Sequence, residues 1–193
     1  MRSNRGFTLI ELIVVIVILG ILAKVALPKF MEMQRDARVA SVHGLEGAVK
    51  SAVQISFANS LIKHTEKLPM YAGSNFEGFI TSCPSDDADS NVVCTAYGNP
   101  IAMRNGIIRA LQNEESFKKM STNVACDSSW SWCYYNPYAE ANKNSGLGSI
   151  FMAPSNSVGY TGYLADSCVL QYTVQINSDN STSVITKVYT DGC

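Results

Sequence analysis

The residues with chemistry to offer are six cysteines, two histidines, a run of aspartates and one glutamate stranded among apolar side chains. Cys83, Cys94, Cys126, Cys133, Cys168 and Cys193 are even in number and all come after an amino-terminal apolar run. That pattern suits disulfides in an oxidising compartment. Neither C-x-x-C nor a Cys/His zinc spacing occurs, and His43 and His64 fall in a stretch with helical spacing, so no metal and no cofactor is expected. No Ser/His/Asp or Cys/His order suggests a nucleophilic triad. Asp86, Asp87 and Asp89 sit in a polar loop, which does not supply the fixed geometry that paired carboxylates need. Asp87, Asp89 and Asn91 match the opening of a calcium loop, but Val92 stands where glycine belongs and no glutamate comes at the required step. A solvated loop is the reading there. Trp130, Trp132, Tyr134, Tyr135 and Tyr138 have the faces to stack on sugar rings, yet core packing of a strand explains the same residues and is preferred. The chain does not read as an enzyme.

The stranded glutamate is Glu11. It interrupts an apolar run from Phe7 to Leu27, which is closed by Pro28 and preceded by Arg2 and Arg5 with no acidic residue between. As a helix those 21 residues rise about 31 Å, the thickness of a bilayer's hydrocarbon core. The basic leader holds its end on the cytoplasmic side. An ordinary secretory signal would share these features, but Ile21 and Lys24 occupy the −3 positions before Ala23 and Ala26, so the small-residue cut site is missing. Within such a span a carboxylate costs roughly 2.5–3.5 kcal/mol. Either Glu11 lies near the helix start, favoured by the dipole and the headgroups, or it is kept for a partner charge.

Arg5-Gly6-Phe7-Thr8-Leu9-Ile10-Glu11-Leu12, with Gly20 and Pro28 further on, resembles the cleavage motif of type IV prepilins. The resemblance implies that a prepilin peptidase cuts after Gly6 and that the new amino terminus on Phe7 is methylated. The short leader is similar to that of the IVa subclass. It also gives Glu11 a task in subunit assembly: the carboxylate of one subunit neutralises the Phe7 amine of its neighbour, and the expense of an unpaired buried charge then sets the register between subunits. Gly20 and Pro28 become the places where the helix loosens on assembly. Asp36-Ala37-Arg38 and Gly44-Leu45-Glu46-Gly47-Ala48-Val49 resemble, within that family, pilins of the mannose-sensitive haemagglutinin type.

Helical patterning resumes directly after Pro28, with Val39, Val42, Leu45, Val49, Ala52 and Val53 at helical spacing. One helix from about Phe7 to about Leu61 is expected, bent or loosened near Pro28 because proline removes a backbone donor, apolar nearly all round in its first half and amphipathic in its second, as packing on a sheet requires. Gly44 and Gly47 would each cost about 1 kcal/mol in that helix, and close approach of a helix or a sheet is one reason to keep them. Pro69 stops any helix; Gly73, Asn75 and Gly78 suggest turns before a short apolar piece, Phe79 to Thr81. A short helix is expected within Ile101 to Met120, burying Ile107, Ile108 and Leu111. The clearest strand is Cys168 to Ile176, with Cys168, Leu170, Tyr172, Val174 and Ile176 on one face and Gln171, Thr173 and Gln175 on the other. Asn177 to Ser181 turns the chain, and Ser183 to Thr190 returns as the second strand of a hairpin. The fold class is α+β: a long amino-terminal helix packed on an antiparallel sheet, as in the type IV pilin fold.

The expected segments are a leader over 1–6, a transmembrane and polymerisation helix over 7–28, its amphipathic continuation over 29–61, and a disulfide-stapled head over 62–193. Six cysteines allow 15 connectivities. The sequential one, Cys83–Cys94, Cys126–Cys133 and Cys168–Cys193, is preferred, since Cys168 opens the hairpin and Cys193 is the final residue of the sequence. The family resemblance agrees, because its carboxy-terminal region is commonly closed by a disulfide.

The formal charge of −1 becomes −3 once Arg2 and Arg5 are lost, and no basic patch with interleaved aromatics suggests nucleic acid. Removing six residues from 193 leaves 187, one long helix plus a head of ordinary size. The function expected is therefore a structural subunit, held in the bacterial inner membrane and then polymerised with copies of itself into an extracellular pilus for adhesion. Its partners are the peptidase, the assembly machinery of the inner membrane and a host or surface glycan. Two other readings stand beside it: a pseudopilin of a type II secretion or DNA-uptake machine, and a membrane-anchored carbohydrate-binding domain.

Overall fold

The computed structural model describes residues 8–69, 71–72, 93–112, 114–120, 129–137, 148–155, 167–179 and 181–193. The aspartate run, the apolar piece from Phe79 to Thr81, Tyr138, and Gly6, Phe7, Cys83 and Cys126 lie outside the described residues. One helix, α1 (Leu9–Ile62), runs without interruption through Pro28. Among the described residues eight strands come after it: β1 (Tyr71–Ala72), β2 (Cys94–Ala96), β3 (Asn99–Pro100), β4 (Phe117–Lys119), β5 (Trp132–Tyr135), β6 (Gly148–Pro154), β7 (Val169–Ile176) and β8 (Thr182–Tyr189). The chain divides into two units, Met1–Ala37 and Arg38–Cys193.

In the first unit α1 begins at a cap. Thr8 precedes the first helical residue, and its Oγ1 accepts the Glu11 backbone N–H at 3.4 Å. Thr8-x-x-Glu11 is the spacing of a capping box, which satisfies donors that the first turn leaves unpaired. From Leu9 to Met33 every large apolar side chain of the unit is exposed, and the most apolar 18-residue stretch has no buried residue. A helix of this length and composition is able to cross a membrane.

In the second unit the helical residues present a narrow apolar stripe. Val42, Leu45, Val49 and Ala52 are buried, at steps of three and four residues along one face. They join Leu170, Tyr172 and Val174 of β7, Ile150 and Met152 of β6, Tyr134 of β5 and Ile107 and Ile108 in a single core. The helix ends in a Schellman motif: Thr65 N–H reaches Ser60 O at 2.9 Å and His64 N–H reaches Leu61 O at 3.2 Å. His64 takes the left-handed position, with φ of 56°, where glycine is commonest. Among the described residues Gly44 and Gly47 serve no close approach, because a Cβ on either would meet nothing within 4 Å.

Two sheets complete this unit. The smaller has the order β1-β2-β3 and is antiparallel. Its β2–β3 connection is the two-residue turn Tyr97-Gly98, with φ of 45° and 81°. Positive values at both central residues mark a type I′ hairpin. The larger sheet has the order β4-β5-β6-β7-β8. Its β5–β6, β6–β7 and β7–β8 pairs are antiparallel, whereas β4 runs parallel to β5, so the sheet is mixed at that edge. The 12 residues between Lys119 and Trp132 are long enough for the crossover that a parallel pair demands.

That edge also corrects the expectation of one short helix within Ile101 to Met120. A π-helical turn (Arg104–Ile108) leads into two more helical residues, a 3₁₀ turn spans Glu114–Ser116, and the chain then becomes β4. Ile107 and Ile108 are buried as expected, while Leu111 is only half-buried. The turn is held at Ile101, whose carbonyl accepts Met103 N–H at 2.9 Å and Ile107 N–H at 3.0 Å. Gly106 lies against that same carbonyl, and a Cβ there would collide with it.

On β7 the expected alternation holds for Leu170, Tyr172 and Val174, but Ile176 lies beyond the core and is exposed. The opposite face is not bare. Val169 packs there with Phe151 and Ala153, and Ser149, Gln171 and Thr173 share hydrogen bonds of 2.7–3.2 Å. Tyr172 is fully buried and its Oη donates to Pro100 O at 2.6 Å, joining the larger sheet to the smaller one.

Candidate functional site

Glu11 sits in the first turn of α1, where the unpaired N–H groups favour a negative charge. Its Oε2 is 3.5 Å from Thr8 Oγ1, which can donate its proton to the carboxylate while accepting the Glu11 N–H. Both contacts are long for hydrogen bonds to a hydroxyl. The cap therefore orients the carboxylate without saturating it: a carboxylate has about four acceptor positions, and Thr8 occupies one. Around it Leu9, Ile10, Leu12 and Ile13 are exposed. An acceptor at the head of a bare apolar helix can receive a cation supplied from outside the chain, and the apolar surface around it can be covered by lipid or by other helices.

Gly20 lies on the same helix, and a Cβ there would meet nothing within 4 Å. Among the described residues nothing requires a glycine at this position. Pro28 removes one backbone donor inside the helix.

The second unit carries the other candidates. Cys168 and Cys193 are bonded to each other across 25 positions of sequence. The carboxy-terminal end is held further by Arg38, whose Nε donates to Cys193 O at 2.8 Å. Cys94 and Cys133 are disulfide-bonded as well; their expected partners, Cys83 and Cys126, lie outside the described residues.

The histidines have local roles. His43 Nδ1 lies 3.4 Å from Glu46 Oε2, while Lys50 Nζ donates to Glu46 Oε1 at 2.7 Å. The hydrogen bond from Lys50 holds the Glu46 carboxyl below its ordinary range; burial opposes this, and His43 and Thr186 add to it. These are helix-surface pairs at i,i+3 and i,i+4. His64 ends the helix. Among the described residues no three His, Cys, Asp or Glu side chains converge on a point that could hold a metal.

The aromatic cluster is largely occupied by packing. Tyr134 is buried in the core, Trp132 stacks on Phe117 with centroids 6.2 Å apart, and Lys118 Nζ lies over the Trp130 ring at 5.6 Å. Sequence reasoning missed Thr8 and the parallel edge strand. Thr8 is legible from the Thr-x-x-Glu spacing that it makes with Glu11.

Comparison with known proteins bears on the same segment. The prokaryotic N-terminal methylation motif matches residues 1–23. The chain is 35% identical over 107 residues to the type IV narrow pilus major component PilA5 of Thermus thermophilus, an alignment covering 53% of this chain and 88% of that protein. It is 29% identical over 132 residues to fimbrial protein EcpC of Eikenella corrodens, covering 68% and 82%, and 33% identical over 124 residues to type IV major pilin protein PilE1 of Neisseria gonorrhoeae, covering 61% and 67%. No solved structure gives a significant match. A methylation motif leading into a bare apolar helix, a helix-on-sheet unit behind it and relatives matched over most of their length together make this chain a member of the type IV pilin family.

Proposed function

We propose that this protein is a structural subunit of a type IV pilus, made as a prepilin, held in the inner membrane by the apolar half of α1 and then polymerised into an extracellular filament. The observation that carries the reading is the pairing of the methylation motif over residues 1–23 with a helix whose apolar side chains from Leu9 to Met33 have no cover of their own. A surface of that kind, about 36 Å long, is stable in lipid or against other such helices and not in water.

Within this reading the leader is residues 1–6, prepilin peptidase cuts after Gly6, and Phe7 becomes the methylated amino terminus. Glu11 then pairs with the Phe7 amine of a neighbouring subunit. Gly20 and Pro28, the two weakest helix formers of the span, are where the helix loosens as the subunit leaves the bilayer. The residues behind the span form the disulfide-stapled outer surface. The short leader supports the IVa subclass, and the major-pilin relatives support a major subunit.

Two measurements test this. Mass spectrometry of the mature protein is expected to show an amino terminus at methylated Phe7, and a start after Ala26 or an intact leader refutes the processing. Electron microscopy of cell-surface shear fractions is expected to show abundant free filaments containing this chain. A pseudopilin's short piston would leave that fraction empty.

A further inference from the structure

We propose that the cleft between the last turns of α1, the start of β2 and the residues after the π-helical turn is a binding site for a small oxyanion of the phosphate type. Its volume is about 180 Å³, below the roughly 300–1,000 Å³ of small-molecule sites, so it suits an ion rather than a metabolite. Three segments remote in sequence line it. Ser56, Asn59 and Lys63 come from the end of α1 and the residue just after it, Thr95 comes from β2, and Arg109 and Gln112 come after the turn Arg104–Ile108.

Two observations single the cleft out. The first is a hydroxyl without a partner. Thr95 is only 4% exposed, and its Oγ1 is buried and makes no hydrogen bond. Orphaned groups of that kind are rare in folded proteins and call for an explanation. Valine has the same shape and would leave nothing unpaired. The hydroxyl proton is free to rotate, so an acceptor arriving in the cleft can satisfy it without moving the strand.

The second observation is the sign of the wall. Lys63 and Arg109 bring two positive charges and Asn59 and Gln112 two amides, and no Asp or Glu stands among the described residues that line the cleft. Among the described residues Lys63 forms no ion pair, and the side-chain amides of Asn59 and Gln112 make no hydrogen bond. Arg109 presents a planar fork of donors, the shape that meets two oxygens of one anion. Gln112 is held beside it, in a left-handed position at φ 56°, by its N–H donating to Arg109 O at 3.0 Å.

The carboxy-terminal end of a helix ordinarily repels anions, because its last carbonyls are unpaired. Here they are taken. Asn59 O accepts Lys63 N–H at 3.1 Å, Ser60 O accepts Thr65 N–H at 2.9 Å and Thr65 Oγ1 at 3.4 Å, and Leu61 O accepts His64 N–H at 3.2 Å. Positive charge, amide N–H groups and one orphan hydroxyl are left to meet a ligand. Lys63 and Arg109 oppose a cation, and an apolar ligand leaves Thr95 unpaired. A carboxylate matches the sign but brings two oxygens and a single charge. A phosphate group brings more acceptor oxygens and close to two charges, which two cations and three neutral donors can share.

The test titrates inorganic phosphate into the full chain in detergent, by calorimetry at constant ionic strength, with acetate and chloride as controls. The site can fail while the pilin reading stands, since filaments are scored separately by electron microscopy. Saturable binding of phosphate is expected, with acetate and chloride weaker by about 10-fold or more. Phenyl phosphate separates the two sources of the group: binding as tight as phosphate assigns the site to the end of a phosphomonoester, and exclusion assigns it to the free ion, the site standing in both cases. Thr95→Val removes the orphan hydroxyl and keeps its shape. It is expected to keep or raise the melting temperature of the ligand-free chain while lowering phosphate affinity about 10-fold, as loss of a hydrogen bond to a charged group does. Lys63→Gln is expected to weaken binding in the same direction without unfolding, because the residue is exposed. Absence of saturable phosphate binding, equal binding of acetate or chloride, or undiminished binding by both variants overturns the proposal. So does a lower melting temperature for ligand-free Thr95→Val, which would give the hydroxyl a partner within the chain.

Discussion

Glu11 has two tasks on offer, and Glu11→Gln separates them. A glutamine at the third helical position still completes a capping box with Thr8, but it carries no charge. If Glu11 serves the neighbouring subunit's amine, the variant leaves that amine buried without a partner. Breaking a buried pair in this way costs about 3–5 kcal/mol, which raises the concentration needed for assembly by roughly 150-fold to several-thousand-fold. Thr8→Ala makes the reverse cut. It removes the cap, worth about 1 kcal/mol, yet the cap is made inside one chain and is present before and after assembly. Its loss therefore changes assembly by only about fivefold even if the whole effect fell on the filament. The assay has two arms, mass spectrometry of membrane fractions for leader removal and immunoblotting of shear fractions for filament mass. The expected order is near-complete loss of filaments for Glu11→Gln, with a cleaved and membrane-held subunit, and a modest reduction for Thr8→Ala. Wild-type filament yield from Glu11→Gln refutes the charge pairing; loss of filaments in Thr8→Ala alone assigns Glu11 to helix capping.

The other predictions concern the second unit, read by thermal or denaturant unfolding of the full chain in detergent. His64→Gly places the preferred residue in the left-handed position that ends α1 and is expected to stabilise by about 1 kcal/mol; a lower melting temperature argues against the Schellman stop. Replacing both Cys168 and Cys193 by serine releases a bridge spanning 25 positions, with an expected loss of about 3.5 kcal/mol from chain entropy; an unchanged denaturant midpoint contradicts it. Glu46 has a depressed carboxyl in the folded chain, so its contribution is present above an unfolded pKa of about 4.3 and is lost as pH falls through the lower folded value. Glu46→Gln is expected to flatten this part of the acid limb by about 0.5 kcal/mol or less, as befits a surface pair. An acid limb of unchanged slope in the variant removes Glu46 from the account.

Legibility in the sequence went with a long period or a rare coincidence of residue types. Val42, Leu45, Val49 and Ala52 repeat over three turns, and Leu170, Tyr172 and Val174 alternate over a strand of eight residues, so the helix and the hairpin were readable. Short elements carry no such repeat. Phe117–Lys119 has three residues, one of them apolar and buried, and it is a strand because Trp132–Tyr135 pairs with it, not because its own pattern demands one. Its parallel direction comes from that pairing, a tertiary fact that the connection is long enough to allow. Tyr97 and His64 are hard to read for a related reason: at left-handed positions their residue types do not announce the backbone, and at Tyr97 the turn signal is carried by Gly98 and Asn99 after it. These two exceptions differ in consequence. His64 ends a helix, a task glycine performs better and with no evident loss. Tyr97 fills a place that asparagine would fill better for the turn alone, and asparagine cannot supply the ring that lines a second cleft with Phe57, Asn99 and Asp179. A local rule broken with nothing gained is a defect, and one broken in favour of a side chain in a cleft is evidence of use. By that criterion Tyr97 is the residue of the second unit, outside the oxyanion cleft, on which a binding experiment is best spent.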